Sequence, residues 1–181
     1  ALAVVASTAA WAPAQAAEVY GDLAPPGVYF GSGNSNGGFW VSNGEGGELG
    51  LRIKNRDTGL PANGNNVDHI YRVDPGLCVG GNGCTAGTRA KGSYEFSVNR
   101  NDQLPTAFTY WLAVDNDPTV SENLNWVNAA TYWPDNAISG DGFQNSQNFV
   151  FPGTPGGAID PFLQGLFSIY LEARDGNGRA I

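Results

Sequence analysis

The composition of this chain excludes several classes of protein. It has 181 residues, of which 41% are hydrophobic and 14% are charged, and these proportions suit one domain with a buried core. Its net charge of −8 and its pI near 4.4 would repel the phosphates of a nucleic acid, so nucleic-acid binding is not expected. The 26 glycines and 11 prolines favour short strands joined by tight turns over helices.

Residues 1–17, ALAVVASTAAWAPAQAA, carry no charge and match the apolar half of a secretory signal with an Ala-x-Ala cleavage pattern at residues 14–16. The stretch is shorter than the ~20 apolar residues of a transmembrane helix. We therefore predict a signal-peptide remnant at residues 1–17 and a single domain at residues 18–181. The alternative is that the segment is retained and adds as a strand to the open sheet edge of a neighbouring copy.

Runs of alternating apolar and polar residues predict about seven or eight strands. In chain order the clearest runs are residues 39–42, 48–56, 69–73, 92–99, 107–118, 144–151 and 167–174. No apolar run of useful length with helical spacing follows residue 17. The expected fold is an all-β, two-sheet antiparallel β-sandwich, jelly-roll-like, with long loops rich in Gly, Pro and Asn.

Three of these runs predict faces and pairing. The run at 48–56, ELGLRIKNR, separates apolar from charged side chains, which predicts a half-buried strand with its charged face in solvent. In the run at 92–99 we expect Tyr94, Phe96 and Val98 to point inward. Because a turn at residues 101–104 precedes the run at 107–118, we predict that these last two runs pair as a hairpin.

The run at 107–118 ends in a turn rich in oxygen ligands, Asp115-Asn116-Asp117-Pro118, after a strand whose core face is formed by Phe108, Tyr110, Leu112 and Val114. Asp115 and Asp117 are candidate calcium ligands, because neighbouring carboxylates repel unless they are neutralised and Ca²⁺ prefers oxygen. Residues 175–177 form a second turn of this kind. The alternative is that these side chains only bond their own backbone, as Asp and Asn do in turns.

Residues 123–142 form a long aromatic segment in which a short helical turn is expected. Trp126, Tyr132 and Trp133 lie in it, and Trp111 lies opposite the core face of its own strand. If exposed together, these four rings are candidate carbohydrate-binding residues, since ring faces stack on sugars. The alternative is that the segment folds over the sheet and buries the rings as a second small core.

Cys78 and Cys84 enclose a short glycine-rich loop. In an exported protein we expect them to form a disulfide. Two thiols without a neighbouring His or Cys cannot complete a four-ligand zinc site, so the predicted role is structural.

Few groups are available for catalysis. His69 is the only histidine, and no Gly-x-Ser-x-Gly pattern supplies a nucleophile. A carboxylate pair for glycoside hydrolysis would have to come from a set that no pattern narrows. That set is Asp115, Asp117, Glu122, Asp135 and Asp141. We therefore do not expect an enzyme, and no cofactor is required.

Several dispersed motifs resemble the β-rich ectodomain of secreted bacterial proteins that carry a PEP-CTERM sorting signal. They are GELGLR at 47–52, YEFSVN at 94–99, YWLAVDNDP at 110–118, QNS at 144–146 and the closing strand from residue 165. The C-terminal anchor of that family is not present in residues 1–181. The resemblance implies an exported or surface-sorted protein of a Gram-negative, exopolysaccharide-producing bacterium, and it implies no enzymatic activity.

We therefore expect a secreted, non-catalytic β-sandwich of the cell surface or extracellular matrix with a structural or adhesive role. Its partners would be exopolysaccharide or copies of itself. One alternative is a carbohydrate-binding module that uses exposed aromatic residues. The other is a self-assembling filament subunit joined by strand addition.

Overall fold

A computed structural model describes residues 17–25, 27–28, 35–64, 69–82, 84–100, 107–132, 136–138 and 142–181. Within these residues the chain forms eleven strands and one short helix, and seven of the strands are five residues or longer. In chain order the elements are β1 (Glu18–Gly21), β2 (Phe39–Gly44), β3 (Gly47–Asn55), β4 (Asn63–Gly64), β5 (Tyr71–Arg72), β6 (Gly92–Asn99), β7 (Thr109–Asp115), β8 (Leu124–Asn128), α1 (Ala129–Tyr132), β9 (Asn136–Ile138), β10 (Gly142–Asn148) and β11 (Ile169–Arg174).

Most strands belong to two antiparallel sheets that pack as a sandwich. The larger sheet has six strands in the order β1-β2-β3-β6-β10-β9, and the smaller has three in the order β11-β7-β8. Strands β4 and β5 form a separate two-stranded ribbon. The predicted all-β, two-sheet antiparallel sandwich is confirmed.

The core lies between the sheets and is built from the alternating apolar residues of β6 and β7. The buried side chains are Tyr94, Phe96 and Val98 from β6 and Tyr110, Leu112 and Val114 from β7. Phe143 on β10 joins them edge-on, with ring centroids 6.2 Å from Phe96 and 6.0 Å from Tyr110. The inward faces predicted for these two strands are confirmed.

The predicted hairpin between β6 and β7 is wrong. Strand β6 pairs with β3 and β10, whereas β7 pairs with β11 and β8 in the other sheet. Their apolar faces meet across the sandwich instead, in one shared core. Alternation indicates which face of a strand is buried. It does not distinguish two strands that pair in one sheet from two strands that face each other across two sheets.

The expectation that the charged face of β3 lies in solvent is also wrong. Arg52, Glu48 and Lys54 are only 1%, 3% and 5% exposed, while the apolar side chains on the opposite face are half-buried. The cause is a covering segment, residues 22–25, 27–28 and 35–38, which lies over this face of the six-stranded sheet. Its main-chain groups bond to the buried side chains, including two carbonyls at 2.5 and 3.0 Å from the Arg52 guanidinium.

The long aromatic segment contains more regular structure than its sequence suggests. Residues 124–128 form β8 beside β7, and the expected helical turn is α1. The alternation of β8 is weak because both of its faces are half-buried. Residues 133–135 and 139–141, among them Trp133 and two of the five acids considered for hydrolysis, lie outside the described residues.

The predicted disulfide joins Cys78 to Cys84. Two bonds to Asp57 hold its loop against the turn that follows β3, since Val79 N–H donates to the Asp57 carboxylate and the Asn82 amide donates to the Asp57 carbonyl. In the part of the chain that the structure describes, no helix is long and apolar enough to cross a membrane.

Candidate functional site

The outer face of the three-stranded sheet carries a group of large side chains around a buried alanine. Ala113 on β7 stands in register with Trp126 on β8 and Tyr170 on β11. Its methyl group leaves room for both rings to close over it, and Ala113 is completely buried. Two further side chains extend the same face. Trp111 lies two residues before Ala113 on β7, and Arg174 lies two residues after Glu172 on β11. We call Trp111, Trp126, Tyr170 and Arg174 the aromatic face.

A guanidinium lies between the two indoles. The Cζ atom of Arg174 is 4.7 Å from the Trp111 ring centroid and 4.8 Å from that of Trp126. Each cation–π contact of this kind contributes roughly 0.5–2 kcal/mol. Arg174 Nε also donates to the Glu172 carboxylate, and the Trp126 and Tyr170 rings are 6.3 Å apart at an angle of 30°. The side chains therefore form a row in which Arg174 contacts both indoles and Trp126 contacts Tyr170.

A carboxylate ends this row. The Tyr170 hydroxyl donates to Glu122 Oε1 at 2.6 Å. This hydrogen bond, with a second from the Ser168 hydroxyl, lowers the pKa of Glu122, and the same bond raises the pKa of Tyr170. At neutral pH the group is thus a neutral phenol bonded to a carboxylate. Tyr170 is 41% exposed and therefore accessible from solvent.

Partly exposed rings next to charged hydrogen-bonding groups match the chemistry of a sugar. The rings offer flat apolar surface for the C–H face of a pyranose, and the carboxylates and guanidinium offer partners for its hydroxyls. Trp111 and Trp126 are each partly buried and partly exposed, so both the sugar-binding interpretation and the second small core stay open.

Two of the four predicted sugar-binding residues come together in this site. Trp111 and Trp126 meet at Arg174, while Tyr132 lies in α1 and is 43% exposed. Tyr170 and Arg174 were not among the predicted site residues. Their alternation with Glu172 in FSIYLEAR puts them on one face of a strand, but nothing local shows that this strand lies beside β7.

The two candidate calcium ligands hold backbone N–H groups of their own turn. Asp115 Oδ1 accepts from Asp117 N at 2.9 Å and from Asn123 N at 3.1 Å, and Asp117 Oδ1 accepts from Thr119 N at 2.9 Å. These are the bonds of the turn interpretation. Among the described residues no three His, Cys, Asp or Glu side chains cluster as a metal site would require. Calcium binding here stays a prediction.

A second concave feature lies between the sheets. This intersheet cleft, of about 860 Å³, separates the apolar face of β3 from β11 and is lined by Leu49, Leu51, Ile53, Ile169 and Leu171. His69 and Glu18 form an ion pair of 3.3 Å at its mouth, and the His69 ring lies 3.6 Å from that of Trp40. The only histidine therefore stacks on a ring beside a carboxylate, and both members of the pair are about half exposed.

No protein-family model, no curated protein and no solved structure matches this chain. Its function is therefore inferred from the chemistry of the aromatic face and of the intersheet cleft.

Proposed function

We propose that this protein is an exported, non-catalytic β-sandwich that adheres to extracellular polysaccharide through the aromatic face. Export is supported by the signal-like residues 1–17, by the resemblance to PEP-CTERM ectodomains, and by a disulfide, which persists in oxidising compartments. No cofactor is part of this proposal.

The observation that carries the proposal is the position of Arg174 between Trp111 and Trp126. Long charged side chains on a sheet surface usually extend into water, but this one is held by two rings and by Glu172. The rings are consequently presented in a preorganised geometry, and a ligand that stacks on them does not have to order them first.

The charge of the site favours a neutral polysaccharide. The guanidinium of Arg174 is already paired with Glu172, and a second carboxylate, Glu122, ends the row. The whole chain adds a net charge of −8, so a polyanion would be repelled while approaching the face. Neutral hexose polymers avoid this cost and still offer hydroxyls to both carboxylates.

The test is affinity electrophoresis and calorimetry with a panel of soluble neutral and acidic polysaccharides. We expect binding to neutral polymers, and we expect Trp126→Ala to weaken it by about tenfold or more, which corresponds to ~1.4 kcal/mol. Phe162→Ala is the matched control, because Phe162 is an exposed ring outside the aromatic face.

Two results would overturn the proposal. The first is a folded Trp126→Ala variant that binds as the wild type does, which would separate binding from this face. The second is release of reducing ends from a bound polysaccharide, which would show catalysis and contradict the non-catalytic role.

A further inference from the structure

The guanidinium of Arg174 occupies a stacking position on both indoles of the aromatic face. Its Cζ atom lies 4.7 Å from the centroid of the Trp111 ring and 4.8 Å from that of Trp126. Carbon atoms in van der Waals contact are about 3.5–4.0 Å apart, so no sugar ring fits between the guanidinium and either indole. The ring surfaces that Arg174 contacts are therefore closed to a ligand while the guanidinium stays in place.

The two indoles do not depend on Arg174 alone for their position. Trp111 Nε1 donates to Thr109 Oγ1 at 3.0 Å, and the centroid of the Trp126 ring is 6.3 Å from that of Tyr170. Neither contact involves the guanidinium. The rings are therefore expected to keep their geometry when Arg174 moves away from them.

Arg174 also has a partner that it can keep outside the rings. Glu172 lies two residues earlier on the same strand, and its carboxylate accepts from Arg174 Nε. The side chains of Arg174 and Glu172 are 24% and 26% exposed, so both reach solvent. A guanidinium that leaves the indoles can stay bonded to this carboxylate in water, and its charge is never left buried and unpaired. Displacement therefore breaks the two cation–π contacts and keeps the ion pair.

A guanidinium and a neutral pyranose suit an indole for related reasons. The face of an aromatic ring is negative, so it attracts the positive charge of a guanidinium and the weakly positive C–H hydrogens of a sugar. The guanidinium is also planar and stacks on aromatic rings. In the free protein the aromatic face thus already holds a group that a stacked sugar would have to replace.

We propose that Arg174 is an internal competitor for the aromatic face: it covers Trp111 and Trp126 in the free protein, and a neutral polysaccharide binds by displacing its guanidinium toward Glu172. This inference rests on the proposed function, because it concerns how the same face binds the same class of ligand. It adds an autoinhibitory contact that a ligand must break before it can stack on the indoles.

The experiment is calorimetric titration of the wild type, Arg174→Ala and Arg179→Ala with three neutral probes, cellohexaose, mannohexaose and isomaltohexaose. Arg179→Ala is the matched control, because Arg179 lies outside the aromatic face and its side chain is 70% exposed. We expect at least one probe to bind. Arg174→Ala should bind that probe at least about fivefold more tightly than the wild type, since no cation–π contact has to be broken first. Arg179→Ala should bind it as the wild type does.

A second measurement follows Arg174 in the wild type. Its Nε–H proton lies beside two indoles, whose ring currents shift its NMR resonance, and the resonance is assigned by its absence in Arg174→Ala. At a saturating concentration of the bound probe we expect this shift to be lost. The indole N–H resonances of Trp111 and Trp126 should move in the same titration, because the sugar takes the place of the guanidinium.

Two results would overturn this inference and leave the proposed function intact. The first is binding by folded Arg174→Ala that is equal to or weaker than that of the wild type, which would show that the guanidinium does not compete. The second is probe binding that moves the indole resonances and leaves the Arg174 resonance unchanged, which would show that the sugar stacks with the guanidinium in place. Absence of binding of every probe to both proteins would overturn the proposed function and this inference together.

Discussion

Glu95 is the side chain whose removal should damage this fold most clearly. It is completely buried on β6, where its Oε2 accepts from Arg52 Nε at 2.6 Å and lies 2.6 Å from Arg52 Nη2. Its second oxygen lies 3.9 Å from the Lys54 ammonium. Burial lowers the pKa of Lys54, and the Glu95 carboxylate opposes that effect. Glu95 thus neutralises a buried positive group beneath the covering segment.

The variant Glu95→Ala leaves the Arg52 guanidinium buried without its carboxylate, bonded to the backbone carbonyls of Ser35 and Gly37. Breaking a buried ion pair from one side costs about 3–5 kcal/mol, because the other charge stays desolvated. The free energy of unfolding of a domain of this size is roughly 5–15 kcal/mol, so the variant would lose a large part of its stability. At about 2–4 °C per kcal/mol the melting temperature should fall by roughly 6–20 °C.

The assay is urea unfolding followed by tryptophan fluorescence, with calorimetry for the melting temperature. Arg179→Ala is the control, since Arg179 is 70% exposed at its side chain and its pair with Asp175 is 3.8 Å long. Such a surface pair contributes at most about 1 kcal/mol. A Glu95→Ala variant that loses less than about 1 kcal/mol of unfolding free energy would refute the claim that this variant leaves a buried, uncompensated charge on Arg52.

Three further changes test other parts of the fold. Replacing Cys78 and Cys84 with serine removes a cross-link over a sequence separation of 6 and should lower the free energy of urea unfolding by about 2 kcal/mol. Adding reductant to the wild type should have the same effect. Burial raises the pKa of Glu48, so the free energy of unfolding falls as pH rises from about 4.3 through that raised pKa. The variant Glu48→Gln has no such carboxyl group, so its stability relative to the wild type should increase between pH 4 and pH 7. A difference in unfolding free energy between the two proteins that does not change with pH would contradict this. Gly47→Ala should lower the free energy of unfolding by about 1–3 kcal/mol or more, because Gly47 has φ +98° and a new Cβ would lie 2.2 Å from the carbonyl oxygen of Asn99 on β6. The control is Gly176→Ala, which should be nearly neutral because a Cβ there would meet open space.

The strands themselves could be predicted because their signal is local. Alternation placed a strand at residues 92–99, which are the bounds of β6, and placed β3, β7, β10 and β11 within a few residues of their observed ends. It also identified the core face of β7. Period-2 patterning depends only on which side of one strand is buried, so neighbouring residues are enough to show it.

Pairing and covering could not be predicted because both depend on distant residues. Arg52 and Glu95 are 43 positions apart, and a charged face next to an apolar one is normally a solvent face. Only the covering segment turns the face of β3 into an interior. The same limit applies to the aromatic face: Trp111 and Trp126 could be named as candidates, whereas Tyr170 joins them only because β11 lies beside β7.

The two faces of β3 are covered by different parts of the chain. The three-stranded sheet is half as wide as the six-stranded one, so it covers β6 fully and β3 only in part. The apolar side of β3 is therefore half-buried at the intersheet cleft, while its charged side is closed by main-chain bonds from the covering segment. Because different parts of the chain cover the two sides, Leu171→Ala, which removes a side chain from the cleft, and Glu95→Ala should lower the free energy of unfolding additively in the double variant. A double variant whose loss departs from the sum by more than about 0.5 kcal/mol would show that the two faces form one coupled unit.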